Sequence, residues 1–196
     1  MKARWLSVLP ALLVLPAQAA GLPFGLDELR WRMTPAEASP HYVRYGGQNP
    51  LPPDWLSGPT DFLGPYDWKG CRVSAYLYFE GAGQALDSVM LRVPGDATDD
   101  CLRDLRAELQ AQFGTPQNLP GGPLAVETPT AALRADLFWP SAEAKRCRAA
   151  PDDAGICGDR LSTALAKMDQ DANIAFFGDY TRIMLWAPGM PRHTVD

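Results

Sequence analysis

The stretch CRVSAYLYFE, residues 71–80, decides how this chain folds. It alternates strictly. Cys71, Val73, Ala75, Leu77 and Phe79 fall on one side, and Arg72, Ser74, Tyr76, Tyr78 and Glu80 on the other. A period of two places successive side chains on opposite faces of a strand, so one face of a sheet is buried here. The tetrapeptide GAGQ, residues 81–84, turns the chain. Leu86 to Val93 returns with Val89, Leu91 and Val93 on one face, completing a β-hairpin.

A helix follows in TDDCLRDLRAELQAQFGTP. Thr98 is placed to cap it, and Asp99 and Asp100 occupy the first turn, where the helix dipole favours carboxylates. Cys101, Leu105, Leu109 and Phe113 recur every four residues with Leu102 beside them; Gly114 and Pro116 end the run. Before the hairpin, Thr34, Pro35 and Glu37 carry the signs of a capped helix start. Residues 46–70 are dense in Pro and Gly and read as a long loop with room for one short strand. Further on, Leu133, Ala135, Leu137 and Trp139 alternate, residues 161–168 read as a short helix, and residues 172–188 close the domain as a second hairpin. The order predicts an α+β fold, an antiparallel sheet with helices packed on one face, organised as two similar helix-plus-strands units, 22–95 and 96–188.

The first residues set the expected compartment. Lys2 and Arg4 precede an apolar run from Trp5 to Leu15, and Ala17-Gln18-Ala19 supplies a small-residue cleavage site. These are the parts of a signal peptide over residues 1–19. Pro10 and Pro16 interrupt a run much shorter than the roughly 20 apolar residues of a membrane span. The expected product is one domain, 20–188, with a flexible tail, 189–196. Without Lys2 and Arg4 it has 16 basic and 23 acidic residues, a net charge of −7. Such a balance gives no electrostatic reason to bind nucleic acid or an anionic membrane. Arg outnumbers Lys and Ala and Pro are abundant, as in GC-rich bacterial genomes, so the expected location is the periplasm, or secretion.

Four cysteines in an exported chain are expected to pair. Cys71 lies on the inward face of its strand and Cys101 on the inward stripe of the covering helix, so these two should meet. That bond closes 31 residues, worth about 3.5 to 4 kcal/mol in the chain-entropy model. Cys147 and Cys157 then pair locally, closing 11 residues for about 3 kcal/mol. Zinc would want closer Cys or His pairs, and a redox enzyme a C-x-x-C. No cofactor or metal site is expected.

Catalytic signatures are sparse. Asp169, Asp171 and Asn173 copy the first ligands of an EF-hand loop, but Ile174 stands where Gly is required and Tyr180 where Glu is required, so a solvated acidic turn is expected. The only histidines are His41 and His193. No catalytic residue is assigned, and a non-enzymatic role carries more weight. The alternative is a hydrolase acting on cell-wall or sugar material through a pair of carboxylates.

The outward side of the strands collects Tyr76, Tyr78, Met90, Arg92, Arg134, Phe138, Arg182, Met184 and Trp186. Tyr, Trp, Phe, Met and Arg are the residue types enriched at protein interfaces. Two readings stand: a loop folds over this face, or the face docks a protein or cell-wall partner. The expected role is that of an exported, disulfide-stapled binding or accessory protein, inhibitor-like in kind.

LRWRMTPAEA, residues 29–38, followed by the hairpin, resembles the G-M-T-x-x-E-V opening of the SmpA/OmlA domain family. LQAQFGTP, residues 109–116, is similar to the L-G-x-P helix end of that family. The repeated helix-plus-strands plan resembles the tandem fold of β-lactamase inhibitory proteins. The resemblance implies a small periplasmic α+β binding domain without catalysis, working through its sheet face or edges.

Overall fold

The computed structural model describes residues 21–48, 60–81, 83–118, 136–150, 152–153, 157, 170–177 and 179–188. The expected signal peptide, Arg134, the helix at 161–168, His193 and the tail lie outside them. Within them, strand β2 (Cys71–Glu80) pairs antiparallel with β3 (Ala85–Pro94), with Ala75 opposite Leu91 and Leu77 opposite Val89. The register shifts between Tyr78, which faces Ser88, and Phe79, which faces Leu86. Asp87 is therefore the extra residue of a β-bulge.

Strand β1 (Thr60–Trp68) flanks β2 on its other side, inside the stretch read as a loop. Its Gly64-Pro65 pair hides it from a pattern search, because Pro has no N–H to give a ladder. The structure accommodates the pair at a register shift between Leu63 and Tyr66, on the edge of the sheet, where a missing donor costs least. Gly64 has φ +97°, and a Cβ there would stand 3.0 Å from the Val73 carbonyl oxygen, so both the turn and the space exclude a side chain.

Helix α1 (Pro35–Ala38) begins with the expected capping box: the Thr34 N–H donates to Glu37 Oε2 at 2.8 Å, and the Glu37 N–H donates to Thr34 Oγ1 at 3.4 Å. It lasts four residues, because Pro40 lacks the N–H a longer α-helix would use; a 3-10 helix (Ser39–Tyr45) takes over. Helix α2 (Asp99–Phe113) starts at Thr98, whose hydroxyl accepts from the Cys101 N–H. It buries Cys101, Leu102, Leu105 and Leu109 against the sheet. Each fully buried Leu contributes about 1.5 to 3 kcal/mol.

The second half adds β4 (Gln117–Asn118), β5 (Leu137–Pro140), helix α3 (Ala142–Ala149), β6 (Gln170–Phe177) and β7 (Tyr180–Trp186). Helix α3 carries Cys147 in a stretch where no helix was expected; Ser141 caps it and Glu143 sits in its first turn. The seven strands form one sheet, ordered β1-β2-β3-β7-β6-β5-β4, with every pair antiparallel. The fold is thus α+β. Its two halves meet at β3–β7 and, among the described residues, are unequal: three strands with a four-residue α-helix, and four strands with α-helices of fifteen and eight residues.

The core lies on one side of the sheet. Leu63, Val73, Leu77, Val89, Leu91, Ile174, Ile183, Leu185 and Trp139 meet Leu102, Leu105 and Leu109 of α2 and Leu22, Phe24, Leu26 and Leu29 of the N-terminal segment. Both expected disulfides are present, Cys71–Cys101 with Cα atoms 5.3 Å apart and Cys147–Cys157 with Cα atoms 5.1 Å apart. Among the described residues no helix is long and apolar enough to cross a membrane.

Candidate functional site

The strand registers assemble the other face of the sheet row by row. Phe62, Tyr76, Met90, Met184, Asn173, Phe138 and Gln117 stand side by side, one from each of the seven strands. Tyr78, Ser88 and Trp186 make a row on one side of this line; Ser74, Arg92, Arg182 and Ala175 make a row on the other. The alternation in β2, β3 and β7 brings seven of the nine expected residues onto one face, and β5 adds Phe138; Arg134 lies outside the described residues.

Exposure divides these residues. Four residues of the central row are buried, Tyr76 at 2% exposed, Phe138 at 3%, Met90 at 6% and Asn173 at 7%, while Phe62 is half-buried and Gln117 exposed. The expectation of an open aromatic face needs correcting for Tyr76, Met90 and Phe138. Their neighbours explain the burial in part: the Phe62 ring packs on Tyr76 with centroids 4.8 Å apart, and the Arg148 guanidinium of α3 lies 5.4 Å from the centre of the Phe138 ring. Met90 is flanked by Tyr76 and Met184. In the flanking rows Tyr78, Arg92, Arg182 and Trp186 are half-buried, as is Met184. Burial pushes the Tyr78 hydroxyl up to about 12, with Tyr76 adding to the shift and Arg182 opposing it, so Tyr78 stays a neutral hydrogen-bonding phenol.

At the β1–β2–β3 end, the face opens into a cleft of about 400 Å³ lined by Phe62, Ser74, Tyr76, Arg72, Arg92 and Asp179, with Pro65 and Pro94 at its margins. Ser74 stands directly opposite Arg92, and Arg72 is two residues along the same strand face. Arg92 is steadied from behind. Its Nη2 lies 3.7 Å from Asp179 Oδ2 and its guanidinium 4.5 Å from the centre of the Tyr180 ring. Arg182, next to Arg92 in the row, lies 5.0 Å from the centre of the Phe177 ring. Its Nε is buried without a hydrogen-bond partner, as is Asn173 Oδ1 on the adjoining strand. Buried polar atoms left unpaired are uncommon and costly, and two of them share this face.

Other expected sites resolve differently. Asp171 and Asn173 are in β6, not in an acidic turn: Ala172 and Ile174 point into the core, which draws their neighbours into the strand. His41 Nδ1 lies 3.1 Å from Glu28 Oε2, beside the Arg44–Glu28 ion pair, tying the 3-10 helix to the N-terminal segment. Among the described residues no group of three His, Cys, Asp or Glu side chains is gathered to hold a metal ion. A carboxylate pair does occur at the bulge, where Glu80 faces the buried Asp87, whose carboxyl burial pushes up to about 6.

Sequence reading missed Phe62 and passed over Arg72 and Ser74 as parts of the site. Arg72 and Ser74 belong to the outward set of residues 71–80, so their place was legible. Phe62 becomes visible only once β1 is recognised as a strand in register with Tyr76. No family model, no curated protein and no solved structure matches the chain.

Proposed function

We propose that this chain is an exported binding protein that docks a protein partner through the face of the sheet opposite helix α2. The observation that carries the reading is the composition of the partly exposed part of this face: Tyr78, Met184, Trp186, Arg72, Arg92 and Arg182 gathered on one side of a sheet whose other side already serves the core. Aromatic residues and Arg supply large contact area and several donors per side chain, the properties of interface anchors. Two disulfides and the signal-peptide pattern favour an oxidising compartment, and the resemblance to small periplasmic binding domains agrees with it.

The hydrolase reading receives less support. Glycosidic cleavage needs two carboxyl groups facing one cleft. The cleft on this face is lined by two guanidinium groups and one carboxylate, while the Asp87–Glu80 pair sits at the hairpin bulge. The test is capture from an envelope extract by the wild-type chain and by Tyr78→Ala/Trp186→Ala. The expected result is a protein held by the first and lost by the second at equal folded concentration. Equal capture by both would overturn the reading.

A further inference from the structure

We infer that the cleft at Arg72 and Arg92 receives a carboxylate borne on a polypeptide, an acidic segment of the docked partner. This rests on the docking reading and specifies what the partner must present.

Charge supplies the first argument. Arg72 and Arg92 are diagonal neighbours on adjacent strands, a placement that leaves side chains roughly 7–8 Å apart and within reach of one bound group. Two like charges this close repel. The nearby carboxylates do not cancel them: Asp179 stands 3.7 Å from Arg92 and is highly exposed, so the pair is weak. Asp67, opposite Arg72, accepts from the Gly70 N–H to close its own turn. Among the described residues Arg72 has no ion-pair partner. An anion entering between the two guanidinium groups would relieve the repulsion and gain charge-assisted hydrogen bonds. Ser74, opposite Arg92 and two residues from Arg72, lines the same cleft and adds a hydroxyl donor.

Shape supplies the second. The cleft has an aromatic wall, Phe62 and Tyr76. The ligand therefore carries an apolar group close to its carboxylate. Pro65, Pro94, Arg72 and Asp179 on its margin are exposed, so the cleft is open, unlike pockets that enclose most of a small ligand. Beside Arg92 on the same face stands Arg182 of β7. From Arg182, Met184 and Trp186 follow at two and four residues along β7, about 13 Å in all at strand rise. An open cationic cleft with half-buried Met and Trp on the same face suits an extended acidic and apolar peptide better than a free acid.

The experiment selects binders from a random dodecapeptide display library on the wild-type chain and on Arg72→Gln/Arg92→Gln, two positions not buried in the core. The expected outcome is enrichment of Asp and Glu beside an apolar residue on the wild type and loss of that enrichment on the variant. A synthetic peptide from the wild-type selection should bind the variant about ten-fold more weakly, and should weaken about ten-fold when its acidic residue is made the amide. Selected peptides without acidic bias, or no selection above background, would overturn the inference. So would sodium benzoate displacing the peptide at equal concentration, which would make this a small-molecule site. The two proposals fail separately: a partner still captured by Arg72→Gln/Arg92→Gln but lost by Tyr78→Ala/Trp186→Ala leaves the docking reading standing and removes this one.

Discussion

Replacing Asp87 with Asn should make the protein more stable at neutral pH, and the effect should vanish in acid. Asp87 is the extra residue of the β2–β3 bulge and is 8% exposed. Its carbonyl oxygen accepts from the Ala187 N–H at 2.7 Å, and the Ser88 hydroxyl lies 3.4 Å from its Oδ1. Burial, with Glu80 beside it, raises its carboxyl from the ordinary 3.8 to about 6. A raised carboxyl pKa means that the folded chain keeps a proton which the unfolded chain releases. Stability is therefore greatest below about pH 4, falls as pH rises towards 6, and is level above that. A separation of about 2 pH units is worth about 3 kcal/mol at most. Asn preserves shape and can still accept from Ser88, but it has no proton to lose. Urea unfolding followed by Trp fluorescence across this pH range should give Asp87→Asn a gain of about 1 to 3 kcal/mol at pH 8 that shrinks to nothing near pH 4. Parallel stability curves for the two proteins, or a loss at pH 8, would refute the reasoning.

Removing the Cys71–Cys101 bond as Cys71→Ala/Cys101→Ala should cost about 3.5 to 4 kcal/mol, and removing Cys147–Cys157 in the same way about 3 kcal/mol, both read from denaturant midpoints. A fluorescent maleimide added to the denatured, unreduced chain should label none of the four. Trp139→Phe should lose about 1 kcal/mol or somewhat more, because the Trp139 Nε1–H donates to the Gly114 carbonyl at 2.8 Å at the end of α2 and Phe removes that hydrogen bond. Thr34→Ala, which opens the capping box, should cost about 1 kcal/mol.

The elements legible from sequence were those whose local signals agree. Residues 71–80 alternate without exception, and α2 has its cap, its acidic first turn and its apolar stripe, so both were readable, as was the Cys71–Cys101 bond that joins them. Strand β1 was not, because Gly64-Pro65 breaks the pattern of a strand that only an edge position allows. Helix α3 was obscured by charge: of its eight residues, four are Glu, Lys or Arg, and only Ala144 and Cys147 are buried. The outward set of the sheet followed from parity alone, so its membership was legible. Its exposure was not, since parity says which way Tyr76, Met90 and Phe138 point but not whether Phe62 or Arg148 lies beside them. The cleft likewise required β1, whose Phe62 forms one wall.

The most direct test of partner docking places a photo-crosslinking amino acid at Met184, half-buried in the middle of the outer face, and a second at Arg103, exposed on α2. Irradiation in envelope extract should yield one discrete protein adduct from position 184 and none from position 103. Adducts of equal yield from both positions, or from position 103 alone, would contradict the assignment of function to this face.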